Sequence, residues 1–486
     1  MARVYAVKKE MLRVDALSLI ESQLDTWIND HAAEIVEQTQ GILRIPSVAG
    51  PAEPGAPFGR GTANALEFAL ALAGRHGLVT KNLDGYAGHA EFASPAAPAT
   101  APIVGIVAHV DVVPEGDGWR RPPYGAEIED GVIYARGAID DKGPAMSALF
   151  ALAAVAAVGP PLTHRVRLIL GCDEESGFGC VDHYFANEEM PATGFTPDGS
   201  FPLIYAEKGI ATYTLTGSVP FSADSLHVAR LGGGLRSNMV PDKATASLRG
   251  PRAALDAAAE ALRTRGGVEV GSPGDEDLTV VARGVSAHGS TPALGTNAVV
   301  LLCRALAEIE LPGRQAALFK QIADWGADTE GRSLGIEGSD SIAGPLTSNL
   351  GVALYEQGRC SLTINVRYPV SWTLDDVTNR LLAAIEPTVF GLTGTAEHAP
   401  LYVPPDDPLV ATLLDVYRAE TGDMTEPQTI GGGTYARAMR KGVAFGPTLN
   451  GREGGAHQAD EHWFVDDLLR ATRIYARAIY RLASQV

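Results

Sequence analysis

Residue types that hold divalent cations recur in this chain where its patterning predicts strands to end. His109 and Asp111 close the apolar run from Ile103 to Val113 and, being two apart on a strand, share a face. Asp140 and Asp141 follow Arg136-Gly137 and precede Lys142-Gly143-Pro144. Cys172-Asp173-Glu174-Glu175 ends a second apolar run, Asp198 sits in Thr196-Pro197-Asp198-Gly199, and His457 lies far along the chain in Gly454-Gly455-Ala456-His457. Open α/β sheets place their ligands at such strand ends. Each group alone has a plainer reading: an acid pair caps a helix or sits in a solvated loop, and most of the 11 histidines, His31, His76 and His164 among them, read as structural or exposed. Together, two histidines with three or four carboxylates suit a pair of divalent cations sharing one bridging carboxylate. Such pairs acidify a water and polarise a carbonyl, with a neighbouring carboxylate outside the ligand set as general base.

The elements that must position these groups are legible in outline. Residues 16–47 have helical apolar spacing, as do 62–76. Ile103 to Val113 and Val166 to Leu170 read as strands buried on both faces, with a buried helix at 143–158 between them. This alternation indicates an α/β layer architecture with a parallel or mixed sheet. After about Lys208 the pattern changes. Strands are expected at 211–217, 226–230 and 244–248, a helix at 252–265, then a strand at 278–283, a helix at 295–310, a hairpin at Glu356-Gln357-Gly358 and a helix at 374–385. This reads as two α+β units of related pattern, and from about Pro400 helical and strand patterns resume to the C-terminus.

Composition excludes several classes. Among 486 residues, 58 acids against 39 bases leave a formal charge of −19, which argues against nucleic acid as a partner. No run reaches the ~18–20 apolar residues of a membrane span. Met1 to Asp15 mixes charged and apolar residues and reads as no signal peptide. Cys172, Cys180, Cys303 and Cys360 form no disulfide framework, so a reducing cytoplasm is expected. Gly431-Gly432-Gly433 lacks the spacing of a phosphate loop and reads as backbone that approaches a substrate closely.

Three segments carry a specific resemblance: Val107-Ala108-His109-Val110-Asp111-Val112-Val113-Pro114, Gly137-Ala138-Ile139-Asp140-Asp141-Lys142-Gly143-Pro144 and Asp173-Glu174-Glu175-Ser176-Gly177. They resemble the signature of the dinuclear-zinc amidohydrolase superfamily, which includes carboxypeptidase G, aminoacylase, succinyl-diaminopimelate desuccinylase and several dipeptidases. Thr196-Pro197-Asp198, Asn238-Met239-Val240-Pro241, Asn365-Val366-Arg367-Tyr368-Pro369 and Gly431 to Arg437 are similar to the dipeptidase V type within it, and the likeness runs in order from about residue 30 to the end.

The resemblance implies a mixed-sheet catalytic domain formed by 1–208 and 399–486, with an inserted α+β lid of two related units at 209–398, and two divalent metal ions, zinc first, manganese or cobalt otherwise. His109 and Asp198 would hold one ion, Glu175 and His457 the other, and Asp140 both. Glu174 would be the general base, with Asp111 orienting a ligand imidazole. The Asp140–Asp141 peptide is expected to be cis. In the lid, His288 of Val285-Ser286-Ala287-His288-Gly289 would stabilise an oxyanion, Asn238 would bind substrate, and Arg367 would clamp a substrate carboxylate. Gly432 and Thr434 are further substrate-binding candidates. Gly199-Ser200 follow Asp198 where many dipeptidases of this type carry another acid, which bears on substrate preference. The activity implied is hydrolysis of dipeptides with a free amino terminus, by a monomer that completes its own site. The alternatives are an N-acyl-amino-acid amidohydrolase with the same metals and a non-catalytic peptide-binding relative.

Overall fold

The computed structural model describes residues 17–222, 224–311 and 313–484. Met1 to Asp15, read above as carrying no signal peptide, lie outside the described residues. The chain divides into two compact units. The first comprises residues 1–205, 403–428 and 434–486, and the second 206–402 and 429–433. The expected division, at 208 and 398, had no counterpart to the short return at 429–433.

The first unit is built on a mixed sheet. Its strands run in the order Val79–Leu83, Ala87–Phe92, Arg165–Gly171, Ile103–His109, Thr193–Thr196 and Gly442–Ala444. The strand Ile103–His109 is parallel to both neighbours, and Gly442–Ala444 is parallel to Thr193–Thr196. The two strands on the Val79 side are antiparallel. Every residue of Ile103–His109 and of Arg165–Gly171 is buried, as a parallel strand covered on both faces requires. One cover is the helix Lys142–Val158, apolar on all sides and buried from Lys142 to Val155. It packs on Val465–Ser484, where Ser147 and Thr472 hydroxyls meet at 3.0 Å.

Two expectations are corrected here. The helix expected over 16–47 is two helices, residues 17–30 and Ala32–Leu43. They break at His31, whose ring stacks on Trp27 and whose Nδ1 donates to the Trp27 carbonyl. The apolar run to Val113 is strand only as far as His109. Val110 and Val112 stay buried, but their N–H groups go to the carbonyls of Gly171 and Ser47, so the run continues as a buried loop.

The second unit is an eight-stranded antiparallel sheet. Its order is Glu269–Val270, Asp277–Arg283, Lys243–Arg249, His227–Gly233, Thr347–Glu356, Arg359–Tyr368, Gly209–Ser218 and Phe390–His398. One half runs His227–Gly233, Lys243–Arg249, helix Arg252–Arg265, then Asp277–Arg283. The other runs Thr347–Glu356, Arg359–Tyr368, helix Leu374–Ile385, then Phe390–His398. The halves share this strand–strand–helix–strand order and meet where His227–Gly233 pairs with Thr347–Glu356. They differ in that Gly209–Ser218 slots between the last two strands of the second half. Strict alternation puts Leu278, Val280 and Ala282 inward and their neighbours outward. The helix Gln315–Ala327, which packs on Ala298–Ala307, was not anticipated from the sequence.

Candidate metal centre

Register delivers the first ligand candidates. His109 pairs directly with Gly171, so the segment Cys172 to Glu175 leaves the sheet beside His109. On the other side Val104 pairs with Thr193 and Ile106 with Phe195, and the same register continued brings Asp198 level with His109. Three parallel strands therefore present His109, Glu174-Glu175 and Asp198 at one end.

The remaining groups arrive through a small sheet. His462–Phe464 pairs with Val132–Tyr134, and the Ala135 N–H donates to the Glu461 carbonyl at 3.0 Å. This holds the segment carrying His457 against the one carrying Asp140. His457 adopts φ 64, just after Gly455 at φ 67, so its loop curls through the left-handed region. The Asp140–Asp141 peptide is cis.

At the centre, Asp140 faces both histidines. His109 Nε2 lies 3.1 Å from Asp140 Oδ1, and His457 Nε2 lies 3.0 Å from Asp140 Oδ2. His457 Nε2 is also 3.0 Å from Glu175 Oε1, and His109 Nε2 is 3.8 Å from Asp198 Oδ2. Ligand atoms of His109, Asp140 and Glu175 lie within 4.8 Å of one another, as do those of His109, Glu174 and Asp198.

Second-layer contacts orient this set. The Asp111 carbonyl accepts from His109 Nδ1 at 2.9 Å, so Nε2 is the nitrogen turned to the carboxylates. The Asp111 carboxylate also holds the next turn: its two oxygens accept the N–H groups of Glu174 and Glu175, each at 3.1 Å. Its Oδ1 is 3.5 Å from His109 Nδ1.

Sequence reasoning missed four contributors. Asp141 Oδ2 accepts the His109 N–H at 3.0 Å. Glu461 is fully buried; its Oε1 accepts the N–H groups of Ile139 and Asp140 at 3.0 and 3.3 Å, and its Oε2 takes Arg136 Nη1 at 2.6 Å. Tyr435 packs edge-on to His109 and hydrogen-bonds Cys180 Sγ at 2.7 Å. Its hydroxyl fits only because Gly171 lacks a side chain; a Cβ there would lie 2.4 Å away. Asp141 and Tyr435 lie within segments already singled out and Arg136 precedes one, but nothing in the sequence marks Glu461 as the partner of Arg136 or sets Tyr435 beside His109.

The electrostatics ask for added positive charge. Burial, and then the charge of Asp140, pushes the Asp198 carboxyl up to about 7. Burial and the charges of Asp198, Glu175 and Asp140 drive Glu174 well above the carboxylate range. Glu175 is raised as well, by burial and Asp140. Burial opposes charge on His457, but hydrogen bonds to Asp140 and Glu175 outweigh it and hold its pKa at about 11. His109 is likewise raised, its hydrogen bonds to Asp111 and Asp140 overcoming burial, while Asp140 is held well below its usual range by those imidazoles. A buried cluster of carboxylates that retains protons to limit its own repulsion, with two imidazole nitrogens turned into it, has the donor set of divalent cations.

The second unit gathers other residues named from the sequence. Met239 and His288 form a β-bridge, and the Gly289 N–H donates to the Asn238 carbonyl at 2.7 Å. Arg367 is buried, with Nε donating to Asn365 Oδ1 at 2.8 Å and Nη1 to the Gly431 carbonyl at 3.2 Å. A Cβ on Gly431 would meet the Ser290 side chain at 3.0 Å, so Asn238, His288 and Arg367 belong to one contiguous cluster with the 429–433 return and its Gly432. Thr434 belongs to the first unit, where its hydroxyl caps a short 3-10 turn through the Ala436 N–H.

Fold and cluster together define a metal-dependent α/β hydrolase. Residues 105–481 match Peptidase family M20/M25/M40, and the chain belongs to that family. It is 43% identical over 462 residues to a Bacillus subtilis (strain 168) protein named "Putative dipeptidase YtjP", covering 93% of this chain and 97% of that one. A Staphylococcus epidermidis relative with a like name is 36% identical over 464 residues, covering 93% and 98%. Among solved structures, human carnosine dipeptidase 1 is similar at TM-score 0.53 and 18% identity, covering 96% of this chain and 100% of that one. Dug1p, a di-peptidase from Saccharomyces cerevisiae, is similar at TM-score 0.57 and 12% identity, covering 96% and 99%. The fold is thus that of a metallopeptidase catalytic domain with an inserted lid domain.

Proposed function

We propose that this protein is a two-metal aminodipeptidase that hydrolyses dipeptides with a free amino terminus. The observation that carries the reading is Asp140, which turns one carboxylate oxygen to each of two histidines, 3.1 and 3.0 Å away. In this reading His109 and Asp198 would hold one cation, Glu175 and His457 the other, and Asp140 both. Two such ions, zinc first and manganese or cobalt otherwise, would polarise the scissile carbonyl and acidify a water.

The chain's own groups divide the remaining work. A carboxylate oxygen of Glu174 takes the proton of the attacking water and delivers it to the leaving amine nitrogen. Its raised proton affinity suits that exchange. Glu175, rather than Glu174, hydrogen-bonds His457, which favours Glu175 as the ligand of the pair. Asp111 fixes the Glu174-Glu175 turn through two backbone hydrogen bonds. On the resemblance, His288 stabilises the oxyanion, Arg367 clamps the substrate carboxylate, and Asn238, Gly432 and Thr434 contact substrate. The relatives named as dipeptidases support a short substrate. We read the enzyme as a cytoplasmic monomer. Four buried cysteines outside any disulfide suit a reducing compartment, and no helix among the described residues is long and apolar enough to cross a membrane.

The test is a paired assay on protein reconstituted separately with zinc and with manganese. Free dipeptides should be cleaved, and N-acetylated amino acids and N-acetylated dipeptides should not. Cleavage of the acylated set would move the protein to the N-acyl-amino-acid amidohydrolases with the same catalytic residues. No turnover of either set with two metals bound would sink the substrate assignment and favour a peptide-binding relative.

A further inference from the structure

We infer that Ser290 is a positioning residue that fixes the tautomer of His288, so that Nε2–H is the hydrogen-bond donor this histidine presents. The inference rests on the reading of His288 as oxyanion donor and adds what makes it one. The motif that singled out His288 stops at Gly289.

The geometry is local and specific. His288 Nδ1 lies 2.6 Å from Ser290 Oγ, and it accepts the Ser290 backbone N–H at 3.3 Å. A backbone N–H can only donate, so Nδ1 must offer its lone pair. The serine hydroxyl, on the same nitrogen, then donates as well. In the neutral ring this leaves the proton on Nε2. The reverse tautomer would set an N–H against an N–H at Nδ1 and present a lone pair at Nε2, which repels an anion.

The loop that makes these contacts is itself held. Gly289 N–H donates to the Asn238 carbonyl, and a Cβ on Gly289 would lie 2.9 Å from the Asn238 backbone, so the chain approaches as closely as glycine allows. Thr347 Oγ1 donates to the Ser290 carbonyl at 3.3 Å, and the Thr291 N–H returns to the His288 carbonyl at 3.0 Å. Both Ser290 donors are therefore aimed by a clamped turn. An oxyanion donor works when it is preorganised with its proton forward, which is what this serine supplies.

The test uses the full-length, metal-loaded enzyme with ¹⁵N-labelled histidine, at a pH where the imidazole is neutral. The His288 resonances are assigned by their loss in His288→Gln. Wild type should show an unprotonated Nδ1 and a protonated Nε2. Ser290→Ala should raise the population protonated at Nδ1 and lower kcat about fivefold with KM little changed, the scale of one lost hydrogen bond. Ser290→Thr, which keeps the hydroxyl, should restore both. A wild-type ring protonated at Nδ1, or Ser290→Ala with an unchanged tautomer, would overturn the inference. So would a kcat defect that threonine does not rescue. If the tautomer moves as expected but His288→Gln turns over normally, the oxyanion reading fails and the action of Ser290 on the ring stands.

Discussion

Replacing Glu461 should separate the stability of the fold from the hold on metal. Arg136 and Glu461 are 1% and 0% exposed and meet at 2.6 Å, while the other Glu461 oxygen accepts the N–H groups of Ile139 and Asp140. Burial, with the charge of Asp140, pushes the Glu461 carboxyl from 4.5 up to about 7 against the pull of Arg136. Keeping it ionised at neutral pH thus costs about 3 kcal/mol relative to the unfolded chain. Glu461→Ala removes that cost but strands a buried guanidinium and two backbone donors. Breaking a buried pair in this way costs about 3–5 kcal/mol, or a fall in Tm of roughly 10 °C for a unit of this size. The double variant Arg136→Met/Glu461→Leu strands no charge and should recover at least half of the loss. Neither variant holds the Asp140 N–H, so both should bind metal about 10- to 100-fold more weakly. Calorimetric unfolding of the metal-free proteins gives the first quantity, and metal titration by isothermal calorimetry the second. A double variant as unstable as Glu461→Ala would refute the stranded-charge reasoning. Unchanged metal affinity in both would refute the link to Asp140.

Asp111→Asn turns an amide N–H₂ toward the backbone N–H of Glu174 or Glu175, and should cost about 1–3 kcal/mol with a 10- to 100-fold loss of metal affinity; unchanged affinity would show that the turn holds itself. Glu174→Gln should retain both metals by elemental analysis while turnover falls about 10²- to 10⁴-fold, and retained turnover would remove Glu174 as the base. His89 is buried, with its Nδ1 2.7 Å from the Tyr184 hydroxyl; burial, then the charge of Arg167, lowers its pKa from 6.5 to about 4. The unfolded chain therefore binds the extra proton first, and stability drains away as pH falls from about 6.5 to about 4, by about 1–2 kcal/mol after solvent screening. His89→Gln should flatten that part of the acid limb in denaturant melts, and an unchanged slope would place the acid sensitivity elsewhere.

What the sequence makes legible follows from what periodicity encodes. The run Ile103 to His109 reads as a doubly buried strand because every position is apolar or small until a histidine ends it. The acids after Gly171 and the aspartate at 198 are visible as strand-end groups for the same reason. The limit of that signal shows at Val110 and Val112. They are as apolar as the strand, but the Val110 N–H takes the last carbonyl of the neighbouring strand, Gly171, and the Val112 N–H turns away to Ser47; composition does not separate a buried loop from a strand. The Glu461 contacts to Arg136, Ile139 and Asp140 span more than 300 residues of chain and leave no local trace. The same holds for the fit of Tyr435 against Gly171. In the second unit hairpin strands and their helices are readable one by one. That Gly209–Ser218 lies between the last two strands of the second half is a matter of pairing, which no single segment declares.

In the proposed function one carboxylate, Asp140, organises two catalytic cations. The most direct test is to strip the protein of metal, titrate zinc or manganese back, and follow dipeptide hydrolysis against equivalents added. Turnover should be absent without metal and should rise to saturation at two equivalents per chain, and Asp140→Asn should lose tight binding of at least one ion. Saturation at a single equivalent, or turnover of the stripped protein, would contradict that reading.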